Sequence, residues 1–121
     1  ENHMPAKNVS PQATSDALAR GDAILIDVRE PGEFAAERIH GALLHPLSTF
    51  DPKALPVDGA RKVILHCGSA KRSGEALARC QDAGVDVSRH MSGGLMSWKA
   101  AGLPSIAVDP STGRIIDPQK G

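Results

Sequence analysis

Two short apolar runs constrain this chain more than anything else in it. One is Ala23-Ile24-Leu25-Ile26, leading to Asp27 and Val28; the other is Val63-Ile64-Leu65, leading to His66. Neither alternates apolar with polar residues, as a strand with one wet face does. Each ends in a polar residue and is followed by a turn and a stretch with helical spacing. Strands of this kind are covered on both faces, so the predicted class is α/β, a central and mainly parallel sheet with helices on both sides.

The remaining elements fit that class. Val9 opens a short first strand. Ser10-Pro11 supplies a cap with proline in the first turn of a helix that Gly21 ends. A helix is expected from Pro31 to about Arg38, a brief strand at Ala42-Leu43-Leu44, and then a loop carrying Pro46, Pro52 and Pro56. In the helix from Arg72 to Ala83, residues Ser73, Ala76, Leu77, Cys80 and Gly84 share one face, which is assigned to the sheet. Asp86 to Met91 is read as the fifth and last strand. Gly93-Gly94 turns the chain into a helix from Leu95 to Ala101, stopped by Gly102 and Pro104.

With 121 residues there is room for one ordinary domain. Glu1-Asn2-His3 before Met4 reads as an expression remnant, residues 4–104 as the domain and residues 105–121 as an extended tail with little core. Phe34, Phe50 and Trp98 are the aromatic residues, so core volume comes from Ala, Leu, Ile and Val. The formal net charge is zero, which gives no global field for nucleic acid or an anionic membrane. Two cysteines do not make a disulfide framework in a chain this long. They fit a reducing compartment, and the expected location is cytoplasmic. No apolar stretch approaches the ~20 residues a membrane helix needs.

The segment His66-Cys67-Gly68-Ser69-Ala70-Lys71-Arg72-Ser73 is the chemical centre of the sequence. It places Cys67 at the carboxyl end of a strand and before the start of a helix, where backbone N–H groups lack partners and the helix dipole is positive. Lys71 and Arg72 add two full charges. This setting favours the thiolate, which is the reactive form of cysteine. A buried cysteine acting as a small hydrophobe is the plainer alternative, and the flanking glycine, serine and cations weigh against it. In an open parallel sheet, ligands bind beyond the carboxyl ends of the strands, so Asp27, Arg29 and Cys67 are expected at one rim.

Three segments together resemble a single-domain rhodanese. Asp27-Val28-Arg29-Glu30-Pro31-Gly32-Glu33-Phe34, with Ile39-His40-Gly41-Ala42 after it, is similar to the family's early strand–turn–helix signature. The stretch from Cys67 to Ser73 resembles its active-site loop, and Gly93 to Pro104 its closing helix. The likeness runs from about Val9 to Pro104. It departs at Ala70, where many family loops carry glycine, and at His40, which replaces a common proline. The HCGSAKRS loop, the stretch from Ala42 to Pro56 and the tail most resemble the cytoplasmic domain of membrane-anchored rhodaneses. No membrane helices follow here, so the chain is expected to be either a piece ending before them or a soluble relative.

The resemblance implies transfer of sulfane sulfur. Cys67 attacks the outer sulfur of thiosulfate or another donor, holds it as a persulfide and yields it to a thiophilic acceptor such as cyanide or a thiol. The N–H groups of Gly68, Ser69, Ala70, Lys71, Arg72 and Ser73 are assigned as the anion cradle. Lys71 draws in a dianionic donor, and Arg72 either anchors the loop or binds the anion. Two alternatives stand beside this reading. A sulfur-carrier or non-catalytic module of the same fold shares the sequence features, a protein sulfur donor being one partner it allows. A cysteine-dependent phosphatase or arsenate reductase needs five residues between cysteine and arginine; four separate Cys67 from Arg72, and Ser73 stands where that arginine belongs.

Other candidates are given plainer roles. Cys80 is assigned to core packing, and His66 to packing or capping, since neighbouring strand residues face opposite sides. His40, His45 and His90 lack metal-site spacing, so neither metal nor cofactor is expected. Asp27 is a candidate acceptor for hydrogen bonds from the loop. Arg29 is open between a role beside the loop and a structural pair with Glu33. Trp98 is read as a core anchor, and Gly93-Gly94 as a turn beside the loop.

Overall fold

The computed structural model describes residues 5–69 and 71–117. The expected remnant Glu1-Asn2-His3, Met4, loop residue Ala70 and residues 118–121 lie outside the described residues. Five strands form one parallel sheet: β1 (Lys7–Asn8), β2 (Ala23–Asp27), β4 (Leu43–Leu44), β5 (Lys62–His66) and β6 (Arg89–Met91). Their order is β1-β6-β5-β2-β4, with β5 and β2 at the centre. The α/β class expected from the two apolar runs is the class observed.

Register assigns each side chain to a face. Ala23, Leu25 and Asp27 of β2 stand beside Lys62, Ile64 and His66 of β5. On that face Ala23, Leu25, Ile64 and Met91 form a core with Leu95 and Trp98 of α4 (Gly94–Ala100), joined by Ala17 and Leu18 of α1 (Pro11–Arg20). The other face gathers Ile26, Val28, Val63, Leu65 and Cys67 against Ala76, Leu77 and Cys80 of α3 (Lys71–Asp82). Burying a residue such as Leu77 contributes about 2 kcal/mol. Gly84, assigned to the same helical face, is exposed instead and has a φ of 71° just beyond the helix, where it serves as a C-terminal turn.

Two expectations are corrected. The helix α2 (Pro31–Ala36) stops two residues short of the predicted Arg38, because Glu37–Arg38 is a strand, β3. The segment from Ser105 is extended but not loose. β7 (Ile106–Val108) and β8 (Ile115–Ile116) form a hairpin, and β3 pairs antiparallel with β7 in a second, three-stranded sheet. Ile106 is buried there, so β6 is not the last strand. The strands are too short to show a period, and their pairing is long-range. Between β4 and β5 the proline-rich stretch makes two short 3-10 turns, Leu47–Thr49 and Pro52–Ala54.

Candidate active site

Because β2 and β5 are parallel neighbours, Asp27, Arg29 and Cys67 come to one rim, as expected. The two faces nonetheless separate them. Cys67 lies on the α3 side and is only 1% exposed, packed beneath its own loop in the cluster with Val28 and Leu65. Its Sγ lies 3.7 Å from Ser73 Oγ, within the range of a thiol hydrogen bond. Ser73, in the first turn of α3, is fully buried, and its Oγ is also 3.0 Å from His90 Nδ1. Burial pushes the His90 ring below the usual imidazole range.

Loop geometry is fixed from three directions. The N–H of Leu95 donates to Cys67 O at 2.9 Å and that of Met96 to Gly68 O at 3.1 Å, so α4 holds the first two carbonyls. Gly94 permits that approach: with a φ of 62°, a Cβ there would stand 2.2 Å from Cys67 O. On the other side Arg72 reaches Glu33 of α2 with contacts of 2.6 and 3.0 Å. Glu33 is preset for this, since Oε1 also accepts the Glu30 N–H at the start of α2. The Arg72 bond is the main reason the Glu33 carboxyl is lowered to about 2, and the same bond raises Arg72. Below, Gly68 faces Arg72 Nη2 and Arg29 Cδ.

The other loop residues divide by exposure. Ser69 and Lys71 face solvent, and Lys71 makes no ion pair among the described residues. The backbone N–H groups of Gly68, Ser69, Lys71 and Arg72 donate to no acceptor among the described residues, as expected before and within the first turn of a helix. Among the described residues the loop thus carries several amide donors without an acceptor and, at Lys71, an ammonium outside any ion pair, while Arg72 is engaged by Glu33.

Asp27 does not take the role expected of it, and of the two readings open for Arg29 the pair with Glu33 is not formed, while its side chain lies against Gly68 of the loop. Asp27 accepts from Arg29, through the backbone N–H at 2.9 Å and the guanidinium at 2.9 to 3.1 Å, and no hydrogen bond from the loop reaches it among the described residues. Arg29 pairs with Asp27, not Glu33, and donates to Glu37 O. The pair is buried and shares its face with His66. His66 Nδ1 is 3.1 Å from Cys67 O, and Nε2 sits 3.5 Å from Asp27 Oδ2 without a hydrogen-bond partner. Burial, outweighing the Asp27 charge, lowers the ring's pKa.

Cys80 is buried in the core as assigned, and burial pushes its thiol up to about 11. Trp98 anchors the opposite core, its indole N–H donating to Pro104 O at 2.8 Å. Among the described residues no three His, Cys, Asp or Glu side chains converge on a metal position, and no helix is long and apolar enough to cross a membrane. Sequence reading missed Glu33 as the partner of Arg72 and His90 as the neighbour of Ser73. These pairs span 39 and 17 positions, and no local spacing announces them.

Comparison with known families decides the lineage. A family model described as a rhodanese-like domain matches residues 10–101. The chain belongs to this family. The uncharacterized protein slr1261 of Synechocystis is 41% identical over 98 residues, covering 81% of this chain and 55% of that protein. The chain thus spans about half the length of that relative. A sulfurtransferase of Allochromatium vinosum is 31% identical over 88 residues, covering 73% of this chain and 82% of the other. The human single domain sulfurtransferase TSTD1 superposes with a TM-score of 0.66 at 28% identity, covering 78% of this chain and 96% of that one. Rhodanese-like membership with relatives of this kind supports a sulfurtransferase-type function.

Proposed function

We propose that this rhodanese-like domain moves sulfane sulfur through a persulfide on Cys67. The Cys67 thiolate attacks the outer sulfur of thiosulfate or of a persulfide donor. The new Sγ–S bond forms as the donor's S–S bond breaks, and sulfite or the donor thiolate departs with the electron pair. A thiophilic acceptor, cyanide or a thiol, then takes the outer sulfur and the Cys67 thiolate is restored.

The observation that supports this reading is the loop itself: among the described residues, the backbone N–H groups of Gly68, Ser69, Lys71 and Arg72, which follow Cys67 at a strand's end, meet no acceptor. Such a ring suits an anion, and each charge-assisted bond to it contributes about 1.5–3 kcal/mol. Lys71 is the cation left to meet the donor. The arrangement disfavours phosphoryl chemistry: the residue six positions after Cys67 is Ser73, whose hydroxyl faces the sulfur, while the Arg72 guanidinium is turned to Glu33.

Incubation with thiosulfate followed by intact-mass spectrometry tests the proposal. Cys67 is expected to gain the mass of one sulfur, discharged by cyanide with formation of thiocyanate, and Cys67→Ser to gain none. Hydrolysis of an aryl phosphate without sulfur uptake would reverse the assignment. A persulfide that forms but passes only to a protein thiol would make the domain a carrier.

A further inference from the structure

The Cys67 sulfur has a line of groups behind it that sulfur transfer as described above does not use. Sγ lies 3.7 Å from Ser73 Oγ, and Ser73 Oγ lies 3.0 Å from His90 Nδ1. Cys67 and Ser73 are buried on the α3 side of the sheet. In register His90 stands beside Leu65 and Asn8, which puts it on that same face. The hydroxyl therefore bridges a buried thiol to a half-buried imidazole on the α3 side of the sheet.

We propose that His90 is a positioning residue that takes the Cys67 proton through Ser73 and so sets the thiolate for attack. The inference rests on Cys67 being the reacting group. As the S–H proton passes to Ser73 Oγ, the Ser73 hydroxyl proton passes to His90 Nδ1. Ser73 ends unchanged, Cys67 becomes a thiolate and His90 an imidazolium. No oxidant or reductant is involved. Since sulfur transfer consumes and restores the thiolate, the proton stays on His90 through the cycle, hydrogen-bonded to Ser73.

The surroundings suit this role. Burial favours the neutral ring, leaving Nδ1 able to accept at neutral pH. The charged groups on elements packed against β6 do not compete for it. Lys7 of β1 and Lys62 and His66 of β5 fall on the opposite face by register. On α3, Lys71 is exposed, Arg72 is held by Glu33, Glu75 and Arg79 pair with each other, and Asp82 lies exposed at the far end of the helix. Among the described residues, none of these side chains is hydrogen-bonded to Cys67 Sγ or the His90 ring, whereas Ser73 Oγ lies within reach of both.

The test is the rate of Cys67 alkylation by iodoacetamide in the full chain, with Cys80→Ala as background, which needs no sulfur donor. His90→Ala is expected to slow alkylation about tenfold at neutral pH and to match the parent near pH 10, where a thiol ionises unaided. His90→Asn keeps a hydrogen-bonding group but cannot hold the proton, and is expected to resemble His90→Ala. Ser73→Ala should give the same loss, and the double variant no further one. Parent-like alkylation in His90→Ala or His90→Asn, or losses that multiply in the double variant, overturns the relay. Should these variants fail to fold, the His90 ring is titrated by NMR in the parent and in Cys67→Ala. A curve shifted to lower pH without the thiolate supports the coupling, and coincident curves refute it. Failure of sulfur transfer itself would be seen separately, as absence of the persulfide mass.

Discussion

Arg72 and Glu33 are joined by two contacts, 2.6 and 3.0 Å long, that tie the start of α3 to the start of α2 across the mouth of the loop. The carboxylate is itself oriented by the Glu30 N–H, so the guanidinium docks on a prepared acceptor. A cation beside a reactive cysteine reads in sequence as an anion binder. Here its hydrogen bonds are directed to Glu33, and they anchor the start of α3 to α2.

Glu33→Gln should therefore slow sulfur transfer more than it lowers stability. Both side chains are partly exposed, so screening leaves the pair about 1 kcal/mol. The folded carboxyl is held at about 2, below its unfolded value of 4.5. Its contribution is complete above the unfolded value and is lost as pH falls toward 2. Thermal unfolding of parent and Glu33→Gln is expected to differ by a few degrees at pH 6 and to converge near pH 2. Convergence already at pH 4 would refute the lowered carboxyl.

Gly94 is expected to be the least replaceable glycine. An alanine Cβ would meet backbone atoms of Cys67 and Gly68 at 2.2 to 2.8 Å while holding a positive φ. Adding the left-handed cost to that of overpacking, Gly94→Ala should destabilise by about 3 kcal/mol and displace the Cys67 carbonyl. Gly102→Ala, also at positive φ but with no atom within 4 Å, should cost about 1 kcal/mol and leave turnover intact. Chemical denaturation with a turnover assay separates the two; equal costs would refute the steric account.

Asp27 and Arg29 form a buried pair whose halves depend on each other. Asp27→Asn leaves a guanidinium buried without its countercharge, at a cost of about 3–5 kcal/mol. Replacing both by apolar residues of similar volume should recover much of that loss. Calorimetry is expected to rank parent above the double variant, and the double variant above Asp27→Asn. If the single replacement proves as stable as the parent, the pair is not what braces this rim.

How much of this was legible in the chain differs by element. Ala23–Asp27 and Lys62–His66 announced themselves because a strand buried on both faces has no polar positions to hide its length. Ser10 and Gly21 marked α1 because caps are local chemistry. β3 could not be seen, since Glu37–Arg38 becomes a strand only when Ile106–Val108 returns to pair with it. The site divides the same way. Cys67 and its amide-rich loop follow from neighbours in sequence, whereas the attachments of Arg72 to Glu33 and of Ser73 to His90 depend on which distant side chain the fold brings alongside.

His66 should make stability fall in mild acid. Burial lowers its folded pKa below the unfolded value of 6.5, so below that pH the unfolded chain binds the extra proton and gains relative to the folded one. His90 contributes with the same sign. Unfolding free energy is expected to be level above about pH 7 and to decline as pH falls through the unfolded value of about 6.5. His66→Gln should flatten that decline in part, and an unchanged slope would mean that the ring does not stay neutral in the fold.

Reagent size should discriminate at Cys67 in a way that charge alone does not. Cys67 is 1% exposed, and the loop that follows it is pinned by Leu95, Met96 and Glu33. Cys80 is fully buried as well, with its thiol raised to about 11, and lies well along α3 from the loop. A small alkylating agent at neutral pH is thus expected to modify Cys67 alone, while a bulky aromatic disulfide reacts slowly until the loop is loosened. Arg72→Gln should speed the bulky reagent by about tenfold and the small one far less, because local opening governs the first. Peptide mapping with both reagents measures this directly. Equal acceleration of both would point to a change at the sulfur itself, and modification of Cys80 at the same rate would mean that the core opens before the loop does.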